Sequence, residues 1–444
     1  MVSKALVGIG VIAFLAGGVF LLHGERTIAL IPQSIVLSTP ITSSSLAAVA
    51  PAGTGPASSS APAGAMSATD PNAGDIPDQP QLANPPAVVK GIYITGWSAG
   101  SAKKLSSLIS LIDRTELNAA VVDIKDYSGY VSYHTSVPEV KAAGAEREIR
   151  IARPNAVIKA LHDKGIYVIG RITTFQDPIL AKAHPEWAMK DKATGGVWLD
   201  QKGIAWIDPA EKGVWEYVAS LAKDAFRRGF DEVNFDYVRF ASDGNLSKID
   251  FPAWDMKTPR HVIIKNFFTY LRGALPGVRI SADLFGLTAV NHDDLGIGQV
   301  IEDAYPNFDY VSPMTYPSHY ASGFLGYKNP GAYPYEVMKY SIDMARNRLT
   351  TLESQFARAA ASSSQAALVA TAAVASPPPL AKLRPWIQDF NLGATYTAAM
   401  VRKQITAIDD AMRIASSTDM SPAFGGWIIW SPSNNYTEGA LQSS

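Results

Sequence analysis

Two aspartates stand where reacting carboxyls would be expected. Asp236 follows the run Asp231-Glu232-Val233-Asn234-Phe235 and precedes Tyr237-Val238-Arg239-Phe240; Asp283 follows Ile280-Ser281-Ala282 and precedes Leu284-Phe285-Gly286. Strand side chains alternate between faces, so Asn234 and Asp236 point one way and Val233, Phe235 and Tyr237 the other. A carboxylate among apolar neighbours is costly unless it is paired or working. Asp236 therefore reads as a reacting group or as half of an ion pair with Arg239 or Arg171, and Asp283 as a reacting group or a structural one. Carboxyls on neighbouring strands could flank one bond. Cleavage of a glycosidic bond needs such a pair: one protonates the leaving oxygen, the other acts as nucleophile or base. Asp231 and Glu232 begin the run, and no catalytic role falls to them.

Around this pair the sequence offers groups suited to a sugar. Asp123 and Lys125, two apart in Val121-Val122-Asp123-Ile124-Lys125-Asp126, share a face as a binding pair or a structural salt bridge. Arg171, in the otherwise apolar Ile169-Gly170-Arg171-Ile172, needs a carboxylate partner or a ligand. Tyr316 ends one apolar run, Trp386 and Gln388 share a face in another, and Trp430 ends a third. Carboxylates, Gln and Arg meet sugar hydroxyls, and Trp or Tyr rings lie on sugar C–H faces. Each aromatic alone is more often core; their recurrence at the ends of runs favours a saccharide. The substrate-binding candidates are Asp123, Lys125, Arg171, Arg239, Tyr316, Trp386, Gln388 and Trp430.

Other chemistries lack their residues. Cys is absent, which removes disulfides, Cys-ligated zinc, iron–sulfur clusters and thiol catalysis. The seven His are scattered, no two within five residues, so no HxxxH pair offers metal ligands. Neither a G-x-S-x-G elbow nor a P-loop occurs. No metal and no cofactor are expected. Lys plus Arg number 39 against 40 Asp plus Glu, a net charge of −1, which excludes nucleic acid held by bulk attraction.

These groups need a frame. Short β-rich runs fall at 91–97, 119–125, 167–175, 232–240, 279–285, 310–316, 385–390 and 426–431, with helix-period segments at 102–114, 155–164, 214–228, 262–275 and 398–415. Strand–helix alternation with near-continuous apolar strands argues a parallel sheet. Eight such units match a (β/α)8 TIM barrel, which places its chemistry at the C-terminal strand ends. An open doubly wound sheet would want a Gly-rich phosphate loop after the first strand, and Gly96-Trp97-Ser98-Ala99-Gly100 is not one.

Ahead of the barrel, Ala5 to Leu22 is an unbroken apolar run behind Lys4. As a helix it would reach about 27 Å, close to the hydrocarbon thickness of a membrane. Residues 1–26 therefore read as a signal anchor, or as a signal peptide if cleaved. From Thr27 to Val89 there is neither Lys nor Arg, and Ala, Ser, Thr and Pro dominate. Residues 27–87 read as a disordered linker, and 88–444 as the barrel, with an Ala/Ser-rich insertion at 356–381. The insertion reads as a loop whose Ala-rich half could be helical. The expected placement is a membrane-anchored barrel outside the cytoplasm, or a secreted one.

The segments Lys90-Gly91-Ile92-Tyr93, Val122-Asp123-Ile124-Lys125-Asp126, Asn234 to Phe240, Ser281-Ala282-Asp283, Met314 with Tyr316, and Pro385 to Phe390 carry a resemblance. Over nearly the whole barrel the chain resembles a bacterial family of TIM-barrel, glycoside-hydrolase-like proteins, long catalogued as a domain of unknown function. More distantly it is similar to chitinase-type barrels, which place acids on the fourth strand. It departs from them where Tyr237-Val238-Arg239 replaces the catalytic Glu. The resemblance implies carbohydrate hydrolysis and names no sugar. The expectation is a glycoside hydrolase acting on an extracytoplasmic polysaccharide or oligosaccharide, with Asp236 as nucleophile or base and Asp283 as general acid. The competing readings are a non-catalytic carbohydrate-binding or envelope-scaffold barrel and, less favoured by the His pattern, a metal-dependent hydrolase or deacetylase.

Overall fold

The computed structural model describes residues 72, 74–370, 379–415 and 417–444, with two short segments at 19–21 and 27–29. Eight parallel strands form the frame: β1 (Val89–Ile94), β2 (Ala119–Lys125), β3 (Tyr167–Thr173), β4 (Glu232–Asp236), β5 (Ile280–Phe285), β6 (Tyr310–Met314), β7 (Lys382–Leu383 and, past Arg384-Pro385, Trp386–Gln388) and β8 (Gly426–Trp430). Each pairs with the next, and β8 pairs with β1, so the ring closes. This is the (β/α)8 barrel that the alternation implies.

Helices cover the outside: α1 (Ala102–Asp113), α2 (Pro154–His162), α3 (Lys212–Arg228), α4 (Arg260–Ala274), α5 (Pro334–Ala370) and α6 (Ala398–Met412). Between β5 and β6 the connection holds a short 3-10 turn, Gly286–Ala289, and a four-residue α-helix, Ile301–Ala304, in place of a full-length helix. Alternation divides the strands between two cores. Ala120, Val122 and Ile124 of β2 face the helices, whereas Ala119 and Val121 face the barrel interior with Tyr167, Ile169, Trp386 and Ile428. Both faces are covered, so β2 is buried along its whole length.

The interior is polar at its floor. Arg384 meets Glu232 with both terminal nitrogens, Nη1 to Oε2 at 3.0 Å, and Glu232 also accepts from Ser281 Oγ at 2.5 Å and Tyr167 Oη at 3.2 Å. Glu232 is thus bound into structure, and Asp231 is held by the amides of Leu82 and Val168.

Two features differ from the sequence reading. Helix α5 runs on through residues 356–370, the first part of the Ala/Ser-rich insertion, because Ala is the strongest helix former; residues 371–378 lie outside the described residues. The folded unit also begins before residue 88. Asp75 accepts from the amides of Asn155 at 2.7 Å and Ala156 at 3.1 Å, Gln79 N donates to Arg228 O at 3.0 Å, and Leu82 packs against the barrel's interior cluster. Ahead of residue 74, the 27–87 linker lies outside the described residues except Thr27–Ala29 and Asn72. So does the apolar run 5–22 apart from Val19–Leu21, which pair antiparallel with Thr27–Ala29. No helix among the described residues is long and apolar enough to cross a membrane.

Candidate active site

A cavity of about 230 Å³ opens at the C-terminal ends of the strands. Seven of the ten predicted site residues line it: Asp236, Asp283, Arg171, Arg239, Tyr316, Trp386 and Trp430.

Arg171, inward-facing on β3, organises the centre. Its Nη1 donates to Asp123 Oδ1 at 2.7 Å, its Nη2 to Asp236 Oδ2, and its Nε lies 3.8 Å from Asp283 Oδ2. Burial alone would weaken this guanidinium's grip on its proton, but Asp236 and Asp123 more than reverse that and hold it well above the ordinary arginine value. Asp236 is fixed further by the amide of Tyr237, 2.6 Å from Oδ1. Tyr237 has φ +53, so the chain turns sharply just past β4 and the side chains beyond it leave the strand's alternation.

Asp283 sits beside this pair, and its two oxygens are treated differently. Oδ1 accepts from Asn234 Nδ2 at 2.9 Å and from Trp386 Nε1 at 2.7 Å. Oδ2 has no hydrogen-bond partner among the described residues. Burial and, secondarily, the neighbouring Asp236 charge push Asp283 up to about 8, against the opposing pull of Arg171. A carboxyl protonated at neutral pH with one oxygen left uncommitted can donate a proton to an incoming group.

Aromatic walls surround the acids. Tyr93 of β1 donates its hydroxyl to Asp123 Oδ2 and stacks on Trp430, ring centroids 4.0 Å apart at 17°. Trp430 also lies under the Arg171 guanidinium at 5.4 Å, and Trp386 meets Trp430 edge-on at 5.6 Å. At the rim, Trp97 is 59 % exposed and Tyr127 40 %.

Three predicted residues fall elsewhere. Asp123 does not line the cavity; it acts through Arg171 and Tyr93. Lys125 does not share its surroundings. A bulge between Asp123 and Lys125 breaks the alternation, and Lys125, fully buried, pairs with Asp177 at 2.6 Å beneath the ring of Tyr217 on α3. Gln388 is a brace: its Oε1 accepts from Ser318 Oγ at 2.8 Å and its Nε2 donates to Phe390 O at 2.9 Å. The sequence reading missed Tyr93, Trp97, Asp126, Phe285, Met314, His319 and Phe390, all lining residues. Tyr93 was within its reach, since alternation along β1 puts it inside and near the C-terminal end; Trp97 and Asp126 sit on loops, where no period applies. Among the described residues no group of three or more His, Asp or Glu forms a metal-binding cluster.

The fold is a (β/α)8 barrel with acidic and aromatic side chains gathered at its mouth. Residues 91–436 match the family model described as "Putative glycosyl hydrolase domain", and the chain belongs to that family. A solved structure of a hypothetical protein from Ruminiclostridium thermocellum is 39% identical, covering 46% of this chain and 98% of its own, with a TM-score of 0.40. The PgaB (BpsB) glycoside hydrolase domain from Bordetella bronchiseptica shares the fold at 10% identity, over 78% of this chain and 94% of its own, with a TM-score of 0.50. No curated protein matches the chain.

Proposed function

We propose that the protein is a glycoside hydrolase acting on an extracytoplasmic polysaccharide or oligosaccharide, with Asp283 as general acid and Asp236 as nucleophile or base. The observation that carries this reading is Asp283 itself: buried at the cavity wall, raised to about 8, with Oδ1 tied down and Oδ2 uncommitted. Asn234 and Trp386 fix its orientation, and Arg171 couples it to Asp236 on the adjacent strand. The aromatic walls suit the C–H faces of pyranose rings. The apolar run 5–22 supports tethering to a membrane with the barrel outside.

The acid assignment is tested by leaving-group dependence. Asp283→Asn should lower kcat/KM at least ~100-fold on a saccharide, as expected for loss of acid catalysis. It should cost much less on an aryl glycoside whose leaving group needs no proton. Asp236→Asn should abolish both. Equal losses on the two substrates for Asp283→Asn would remove it as the acid. A second reading, a binding barrel without turnover, draws on the Asp236–Arg171 ion pair, since a barrel that only binds would hold its acids this way. Saccharide binding with no release of reducing ends would establish that reading instead.

A further inference from the structure

Two arginines line the cavity, and their surroundings are opposite. Arg171 faces three carboxyl groups, those of Asp123, Asp236 and Asp283. Arg239 is equally buried, 3 % exposed, yet no carboxylate among the described residues lies within ion-pair distance of it. Its Nη1 donates to the Phe240 carbonyl at 3.0 Å and to Ser242 Oγ at 3.1 Å. Its plane is enclosed by rings, Trp206 and Phe285 at 4.7 Å and Tyr237 at 5.2 Å. Tyr237, Asp243, Asp236 and Asp200 act on it only at longer range, and burial dominates, lowering its affinity for its proton.

A mostly buried guanidinium without a carboxylate partner is destabilised, and ring faces recover only part of that loss. Nε and Nη2 find no acceptor among the described residues, and they form the flat fork that a carboxylate or sulfate fits bidentately. We propose that the saccharide bound here is acidic, and that its carboxylate or sulfate ester docks on Arg239. The inference rests on the saccharide-binding reading of the cavity and names the substrate class for it. The cavity's own acids do not oppose such a ligand strongly. Asp236 is paired with Arg171, Asp126 with Arg150, and Asp283 is protonated at neutral pH.

The test reads binding apart from turnover, by titration calorimetry on the full chain carrying Asp283→Asn, with wild type alongside. The probes are oligosaccharides of glucuronate, galacturonate and mannuronate, each against its methyl ester, and sulfated oligosaccharides against their desulfated forms. At least one acidic probe should bind tenfold or more tightly than its neutral counterpart. A uronate winner assigns the carboxylate, a sulfated winner the sulfate ester. Adding Arg239→Met should erase the acid-to-neutral ratio, and adding Arg239→Lys should reduce it, keeping charge but losing the fork. If the Met variant fails to fold, as its melting curve would reveal, the fall in ratio with Lys decides. A panel with no acid preference, or a preference that survives loss of the guanidinium, overturns the proposal. In that case Arg239 is an aromatic clamp. Failure of the hydrolase reading looks different: acid-selective binding with no reducing ends released by wild type.

Discussion

At the scale of single residues the site turns on one proton. The Asp283 carboxyl has an ordinary value of 3.8, as in the unfolded chain, and is held up to about 8 in the fold, chiefly by burial. Between those values the folded state binds more protons than the unfolded one. The stability tied to Asp283 is therefore fully present below about pH 4 and is lost as pH rises through about 8. Urea denaturation from pH 5 to pH 8 should show wild type losing stability relative to Asp283→Asn, and parallel profiles would contradict the raised value. In turnover the same group should set the alkaline limb of kcat/KM near pH 8. Alternation made most of these residues legible, because Arg171, Asp236, Asp283, Trp386 and Trp430 all stand on regular strands with the interior face fixed by apolar neighbours. It failed at Lys125, where one extra residue in β2 turns the side chain away toward Asp177. Nothing in a local window announces a bulge. Gln388 failed for another reason: its partners, Ser318 and the Phe390 carbonyl, come from folding of loops rather than from period.

At the scale of elements, the barrel closes where β8 meets β1, and the approach there leaves no room for a side chain. Gly426 has φ +102, and a Cβ on it would stand 1.9 Å from the carbonyl oxygen of Val89. Gly426→Ala should cost about 3 kcal/mol, the upper range for overpacking, since the obstacle is backbone and cannot rotate aside. Gly273→Ala is the matched control. It lies within α4, and nothing stands within 4 Å of its would-be Cβ. That change should be neutral or stabilise by up to about 1 kcal/mol through helix propensity. Urea midpoints of the two variants should move in opposite directions or by very different amounts; similar shifts would mean the seam tolerates a methyl group. Strands and amphipathic helices were readable because burial on one face imposes a period. Helix α5 was half hidden, since its Ala- and Ser-rich continuation has no apolar stripe to betray a packing face.

At the scale of the whole molecule, the segment ahead of β1 makes the barrel's floor. Arg153, at the start of α2, gives no side-chain cap, and Asp75 supplies the missing acceptor from far back in the chain. Leu82 enters the interior cluster from the N-terminal side and gives its amide to Asp231 at 2.6 Å. The same contacts make a prediction about where the folded unit starts. A chain beginning at residue 72 retains the Asp75 cap, worth about 1 kcal/mol, and the Leu82 hydrogen bond, worth about 1 kcal/mol. One beginning at residue 88 loses both and uncovers the interior cluster beneath Leu82. The shorter chain should be less stable by roughly 2–3 kcal/mol, adding partial burial of one leucine. Asp75→Ala in the longer chain should by itself cost about 1 kcal/mol, roughly a third to a half of that difference. Equal urea midpoints for the two truncations would mean that residues 72–87 rest on the barrel without stabilising it, and the folded unit would then begin at β1.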